Sequence, residues 1–182
     1  MNILVIGECG TGKTWVCSNL IEKLNLDKQD KVGLIRYHHN DDVMLMGIYD
    51  GSLFQGTDKL SMAVMSDVDE LLEHGKDKII IAEGDRFTNS KYIEKANPLI
   101  VRIIGDGSKG RKLRESSQTD RQIKSIKTRV NNIVLKNNMN VVNAKDSSNA
   151  LEIILDCVKN KQYPIDIPKR VVDEPNDLSS FF

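Results

Sequence analysis

Gly7-Glu8-Cys9-Gly10-Thr11-Gly12-Lys13-Thr14 follows the apolar run Ile3-Leu4-Val5-Ile6 and leads into Val16, Cys17, Leu20, Ile21 and Leu24, apolar residues at helical spacing. The order is therefore a buried strand, a glycine-rich turn and an amphipathic helix. The octet fits G-x-x-x-x-G-K-[ST] at every fixed position. Its glycines let the backbone curl so that successive N–H groups point inward at a phosphate, and the helix N-terminus adds partial positive charge. Glu8, Cys9 and Thr11 fill variable positions. Lys13 is placed to bridge the β- and γ-phosphates of a nucleoside triphosphate, and the Thr14 hydroxyl to ligate Mg2+. A chance glycine-rich turn is the competing reading, and the strand–turn–helix context weighs against it. Cys9 has two readings: a thiol activated by Lys13 and the helix terminus, or a small side chain tolerated at a variable position.

Working outward, short apolar runs at residues 32–36, 79–82, 99–104 and 139–142 predict four further strands. Helical periodicity predicts helices over 60–74, around 91–96, after residue 118 and around 150–158. Residues 43–54 read as an irregular excursion or short hairpin. Residues 105–118, with Gly105, Gly107 and Gly110 among many charges, read as a loop. Strands alternating with helices predict a three-layer α/β domain over residues 1–160, built on a mainly parallel five-stranded sheet. Residues 161–182, with Pro164, Pro168 and Pro175, predict an extended C-terminal tail.

The chain has 182 residues, 40% hydrophobic and 29% charged, and formal net charge zero. That composition predicts one globular domain and excludes a disordered or fibrous chain. No apolar run approaches the ~20 residues of a membrane span, and no signal-peptide pattern opens the chain. Cys9, Cys17 and Cys157 make no zinc-type spacing, and together these features predict a reducing cytoplasm. Zero net charge conceals an imbalance. Residues 37–97 carry six basic and twelve acidic side chains, and residues 102–136 carry ten basic and three acidic. A basic block opposite an acidic one points to recognition of an anion; the competing reading is a solvated helix face.

A second acidic element bears on the chemistry. Ile79-Ile80-Ile81-Ala82-Glu83 is an apolar strand ending in an acid, which places Glu83 near the metal. Gly84-Asp85-Arg86 follows at the strand's C-terminal edge, where ligands bind in open α/β sheets. Asp85 is a candidate to contact the acceptor hydroxyl, against the alternative of a helix-capping turn. Asp58 is a second candidate to take the acceptor's proton, with Tyr49 and Phe54 to stack on a base; Asp58 or Thr57 also fits as the N-cap of the 60–74 helix. Asp41, after the strand at 32–36, is a third candidate base. The neighbouring His38 and His39 read as a solvated turn.

These motifs resemble the P-loop nucleoside and nucleotide kinases over residues 1–160. The resemblance implies a lid at about 105–118 whose Arg111 and Arg114 close over the transferring phosphoryl group. It also implies an adenine-binding loop after the last strand, at Ala144 and Lys145, with ATP as donor. The strips 49–64, Ala82-Glu83-Gly84-Asp85-Arg86-Phe87 and 114–133 look most like the small phage kinases that phosphorylate 5-hydroxymethyluracil in DNA. That resemblance implies a DNA-base acceptor, DNA contact through residues 102–136, and the cytoplasm of a phage-infected bacterial host. The alternatives are a free nucleoside or nucleoside-monophosphate kinase and, in another class, an NTPase switch or motor subunit. Leu178, Phe181 and Phe182 resemble the peptides that dock on DNA sliding clamps, without the leading glutamine; docking on the protein's own surface is the favoured reading of that tail.

Overall fold

The computed structural model describes residues 1–52, 54–113, 115 and 117–164. Arg114 lies outside the described residues, as do the tail and its Leu178, Phe181 and Phe182.

A seven-stranded sheet runs through the molecule in the order β2-β3-β4-β5-β1-β6-β7. Its strands are β1 (Asn2–Gly7), β2 (Lys28–Val32), β3 (Ile35–His39), β4 (Val43–Met46), β5 (Ile79–Glu83), β6 (Leu99–Ile103) and β7 (Val141–Ala144). β4, β5, β1, β6 and β7 are mutually parallel, and β2 and β3 extend the edge as an antiparallel hairpin. The helices are α1 (Lys13–Leu24), α2 (Val68–His74), α3 (Ser90–Ala96), α4 (Ser108–Leu113), α5 (Asp120–Lys136) and α6 (Ser147–Asn160).

Alternation along the central strands divides the core. Leu4, Ile6, Met44, Met46, Ile80 and Ala82 face α2, α3 and α5, packing on Val68, Leu71, Tyr92, Ile93, Ile126 and Val130. Ile3, Val5, Leu45, Ile81, Val101 and Ile103 face α1 and α6, packing on Val16, Cys17, Leu20, Leu151 and Ile154. The three-layer α/β fold with a mainly parallel sheet follows directly from strands that are apolar on both faces. No described helix is long and apolar enough to cross a membrane.

Four local expectations are corrected. The expected strand at 32–36 spans a hairpin turn: Gly33 adopts φ +55°, and the Asp67 carboxylate accepts the Leu34 N–H at 2.6 Å. The strand that joins the parallel sheet is instead Val43–Met46, within the stretch read as an irregular excursion or short hairpin. The 60–74 helix is broken: 3-10 turns at Thr57–Lys59 and Val64–Ser66 precede α2. The lid is not simply a loop, because Ser108–Leu113 is helical. The sheet accordingly has seven strands, of which five are parallel.

Candidate active site

The phosphate loop leaves β1 at the C-terminal edge of the parallel strands. Gly10 and Gly12 take φ +87° and +94°, left-handed conformations that favour glycine. The N-terminus of α1 has no side-chain cap, whereas Asn89, Thr119 and Asp146 cap α3, α5 and α6 by accepting backbone N–H bonds. α2 likewise lacks one, but the start of α1 opens onto the cavity described next, where its amides are available to a ligand. The Lys13 ammonium folds over the loop and donates to the carbonyls of Gly7 and Glu8, 3.0 Å each. Thr11 braces the turn by donating from Oγ1 to the Glu8 carbonyl at 2.9 Å.

This loop forms one wall of a cavity of about 530 Å³. Cys9, Gly10, Gly12, Lys13 and Thr14 supply the side made by this loop, and Trp15 and Ser18 extend the lining along α1. Asp58, Glu83, Gly84 and Asp85 form the acidic side, Phe54 and Gln55 a third wall, and Gly110, Leu113, Ser117 and Gln118 the roof.

Glu83 is 3% exposed, and its position is fixed by the segment beside it. The fully buried Thr57 donates its N–H to Glu83 Oε1 at 3.3 Å and its hydroxyl to the Glu83 carbonyl at 2.7 Å. Gly56 makes room: at φ +87° it passes so close that a Cβ there would lie 2.3 Å from Glu83 Oε1. Arg86 holds the same segment by donating to the carbonyls of Leu60 (3.3 Å) and Asp58 (3.4 Å). Behind Glu83, desolvation together with the nearby carboxylate pushes the Cys17 thiol well up, and burial and its neighbours push the Tyr49 phenol up likewise. Both therefore stay neutral.

The lid docks on the phosphate loop through glycines. A Cβ on Gly107 would lie 1.9 Å from the Cys9 carbonyl oxygen, and one on Gly110 would lie 2.1 Å from that of Gly10. Arg111 donates to the Cys9 carbonyl at 2.8 Å and to the Asp106 carbonyl. Gln118 Nε2 reaches the Cys9 sulfur at 3.1 Å. From α5, Lys127 pairs with Glu8 at 3.5 Å and Arg129 with Asp85 at 3.6 Å.

The structure thus brings together Lys13, Thr14, Glu83, Asp85 and Asp58 around one cavity. Asp41 is a correction. It precedes β4 at the opposite, N-terminal edge of the sheet, exposed, paired with Lys28 at 3.6 Å, its carbonyl accepting from Lys78. A strand's length, on the order of 15 Å, separates that edge from the loop. The error follows from the misplaced second strand: an acid after β3, an antiparallel strand, lies at the wrong end. Asp58 sits in a 3-10 turn, and α2 begins only at Val68, so it does not cap that helix. Tyr49 is tucked beneath Gly47 and Gly56 with its hydroxyl donating to the Met46 carbonyl, and does not line the cavity. Ala144 ends β7 and Lys145 follows it beside the loop, where Ser147 abuts Gly12, but they do not line the cavity either. Arg111 is engaged with backbone carbonyls and joins lid to loop. Lys127 pairs with the loop instead of being merely solvated.

Residues the sequence did not single out are Trp15, Ser18, Gln55 and the lid's Leu113 and Gln118. Trp15 carried a signal: the chain's single tryptophan falls off the apolar face of α1 and is 47% exposed, within the cavity.

No family model matches the chain, and no curated protein matches it. Among solved structures it is similar to a deoxyadenosine kinase from M. mycoides, determined with the products dCMP and a flexible dCDP bound. The two share 11% sequence identity, the match covers 89% of this chain and 100% of the other, and the TM-score is 0.44, so the functional reading comes from this chain's own site.

Proposed function

We propose that this chain is an ATP- and Mg2+-dependent phosphotransferase acting on a nucleoside- or nucleotide-type acceptor. One observation carries the reading: a phosphate loop with Lys13 and uncapped helix amides opens onto the same cavity as Asp58, Glu83 and Asp85. The loop amides and Lys13 bind the β- and γ-phosphates, and Lys13 exchanges its loop carbonyls for phosphate oxygens. Thr14 and Glu83 offer oxygen donors only, the chemistry Mg2+ takes, and the Thr57 N–H keeps the Glu83 carboxylate in place. When bound, Mg2+ neutralises charge on the phosphates. Asp58 or Asp85 orients the acceptor and receives its proton. The α4 lid roofs the cavity and excludes water, which favours transfer over hydrolysis; Arg111 fixes the lid to the loop, and Arg114 remains a candidate for the phosphoryl group. Trp15, Phe54 and Gln55 give the acceptor wall two aromatic rings and an amide, a composition that accepts a nucleobase. Ala144 and Lys145, beside Gly12, remain the candidates for adenine contact.

A free nucleoside or nucleotide is the leading acceptor, because a cavity of this size holds one. The DNA-base reading, with 5-hydroxymethyluracil as acceptor, is supported by a shallow groove along the outer face of α5. Arg121, Lys124, Thr128 and Arg129 line it, and Arg129 joins it to the cavity through Asp85. Transfer from γ-labelled ATP to free nucleosides and nucleotides, to plain DNA and to DNA containing 5-hydroxymethyluracil tests the proposal. Label on a free compound supports the leading reading, and label only on the modified DNA the second. Inorganic phosphate alone, from protein that binds ATP, overturns both in favour of an NTPase.

A further inference from the structure

We infer that Arg86 is a positioning residue that holds Asp58 over the end of β5, and that Asp58, not Asp85, takes the acceptor's proton; this rests on the phosphotransferase reading. Arg86 does not line the cavity. Its guanidinium turns back to the acceptor segment, with Nε donating to the Leu60 carbonyl at 3.3 Å and Nη2 to the Asp58 carbonyl at 3.4 Å. One planar fork thus spans two carbonyls of the same turn, a geometry that an ammonium reproduces poorly. The base of the fork is fixed as well. Thr88 Oγ1 donates to the Gly84 carbonyl at 2.7 Å, Asn89 Nδ2 donates to the Arg86 carbonyl at 2.8 Å, and Phe87 between them is fully buried.

Asp58 is therefore an exposed side chain between two buried anchors, Thr57 and Leu60. Thr57 is hydrogen-bonded to Glu83 and Leu60 to Arg86, so the turn is tied on both sides of Asp58 to residues 83–86. The carboxylate lines the cavity beside Gly84, where a Cβ would lie 3.9 Å from Oδ1. It makes no hydrogen bond or ion pair with a described residue, so both oxygens face an acceptor. Asp85 differs: its Oδ2 lies 3.6 Å from Arg129 Nη1, and a proton taken there cancels the charge that holds the pair. In the transfer step the acceptor oxygen bonds to the γ-phosphorus as the bond from that phosphorus to the β–γ bridging oxygen breaks. ADP leaves with that electron pair, and the acceptor's proton passes to Asp58. Arg86 touches neither reacting group; it acts through the turn, where a misplacement of about 1 Å costs on the order of 100-fold in rate.

A double-mutant cycle on kcat tests this, with γ-labelled ATP and, as acceptors, common nucleosides, their 5′-monophosphates and DNA containing 5-hydroxymethyluracil. Trp15 fluorescence reports ATP binding, and thermal denaturation reports the folding of each variant. Asp58→Asn is expected to lower kcat by about 100- to 1,000-fold, and Asp85→Asn by no more than about 10-fold. ATP affinity and the Mg2+ requirement of Asp58→Asn stay those of the parent. Arg86→Ala alone lowers kcat by roughly 30-fold, but by less than roughly 3-fold when added to Asp58→Asn, because the two residues act as one unit. Arg86→Lys keeps one of the two bonds, recovers part of the loss, and closes the cycle where Arg86→Ala fails to fold. Losses that multiply would put Arg86 on the substrate itself and overturn the inference. A larger loss in Asp85→Asn than in Asp58→Asn overturns it too, as does a raised Mg2+ requirement in Asp58→Asn, which would make that acid a metal ligand. Each of these leaves the phosphotransferase reading standing. ATP hydrolysis by the parent with no labelled acceptor overturns both.

Discussion

Gly110→Ala tests whether the lid is docked on the phosphate loop. Gly110 lies inside α4 without a left-handed φ, so alanine fits its backbone and would by itself favour the helix by about 0.8–1 kcal/mol. The added methyl, however, would sit 2.1 Å from the Gly10 carbonyl oxygen and 2.9 Å from its carbon, both backbone atoms. A carbon needs roughly 3.3 Å from such an oxygen, so the helix must retreat by about 1 Å. That retreat loosens the charge-assisted bond from Arg111 to the Cys9 carbonyl, a loss of about 1.5–3 kcal/mol. The docked-to-undocked ratio then falls by roughly 10- to 150-fold. Brief trypsin treatment, with cleavage at Lys109, Arg111 and Lys112 read by mass spectrometry, measures the undocked population. Phosphoryl transfer is expected to drop by one to two orders of magnitude as the roof opens. A variant as protease-resistant as the parent, more heat-stable and equally active would refute the docked lid, because only the helix-propensity gain would remain.

Lys13→Met is expected to weaken ATP binding at least ~100-fold, measured by Trp15 fluorescence, since an ion pair with phosphate at a desolvated site is lost. Thr57→Val leaves the buried Glu83 carbonyl without its hydroxyl donor, which costs about 1–3 kcal/mol. Thermal denaturation should show Tm lower by roughly 2–12 °C, and transfer should fall ~10-fold with a higher Mg2+ requirement, while Thr57→Ser retains both. Burial pushes the His38 imidazole below its ordinary pKa. The unfolded chain then takes up a proton that the folded chain resists, so stability present above about pH 6.5 is lost as pH falls below it. Tm compared between pH 7.5 and 5.5 should drop, and His38→Leu should remove most of that dependence.

The glycine-rich loop was legible because its conformation is local: strand, glycines and helix are contiguous, and the lysine that lines the cavity belongs to the same turn. Glu83 and Asp85 were legible for the related reason that β5 is an unbroken apolar run whose end must lie at the sheet edge. The hairpin was not, because β2 is an edge strand with Lys28, Gln29, Asp30 and Lys31 all exposed and no apolar alternation to show. β4 was missed because Val43-Met44-Leu45-Met46 is brief and methionine-rich, with glycines soon after it.

The sequence alone determined a glycine-rich turn between strand and helix on a parallel α/β sheet and the identity of the lysine, threonine and strand-end acid that line its cavity. Tertiary structure decided which acids join them. Asp58 reaches the cavity because Thr57 and Arg86 bind its segment to β5, contacts between residues 26 and 28 positions apart that no local spacing encodes. Asp41, an equal candidate by composition, is excluded because strand direction puts it at the other end of the sheet. The lid's seat on Cys9 and Gly10 is likewise tertiary: glycines a hundred residues distant meet because neither carries a Cβ to hold the two backbones apart.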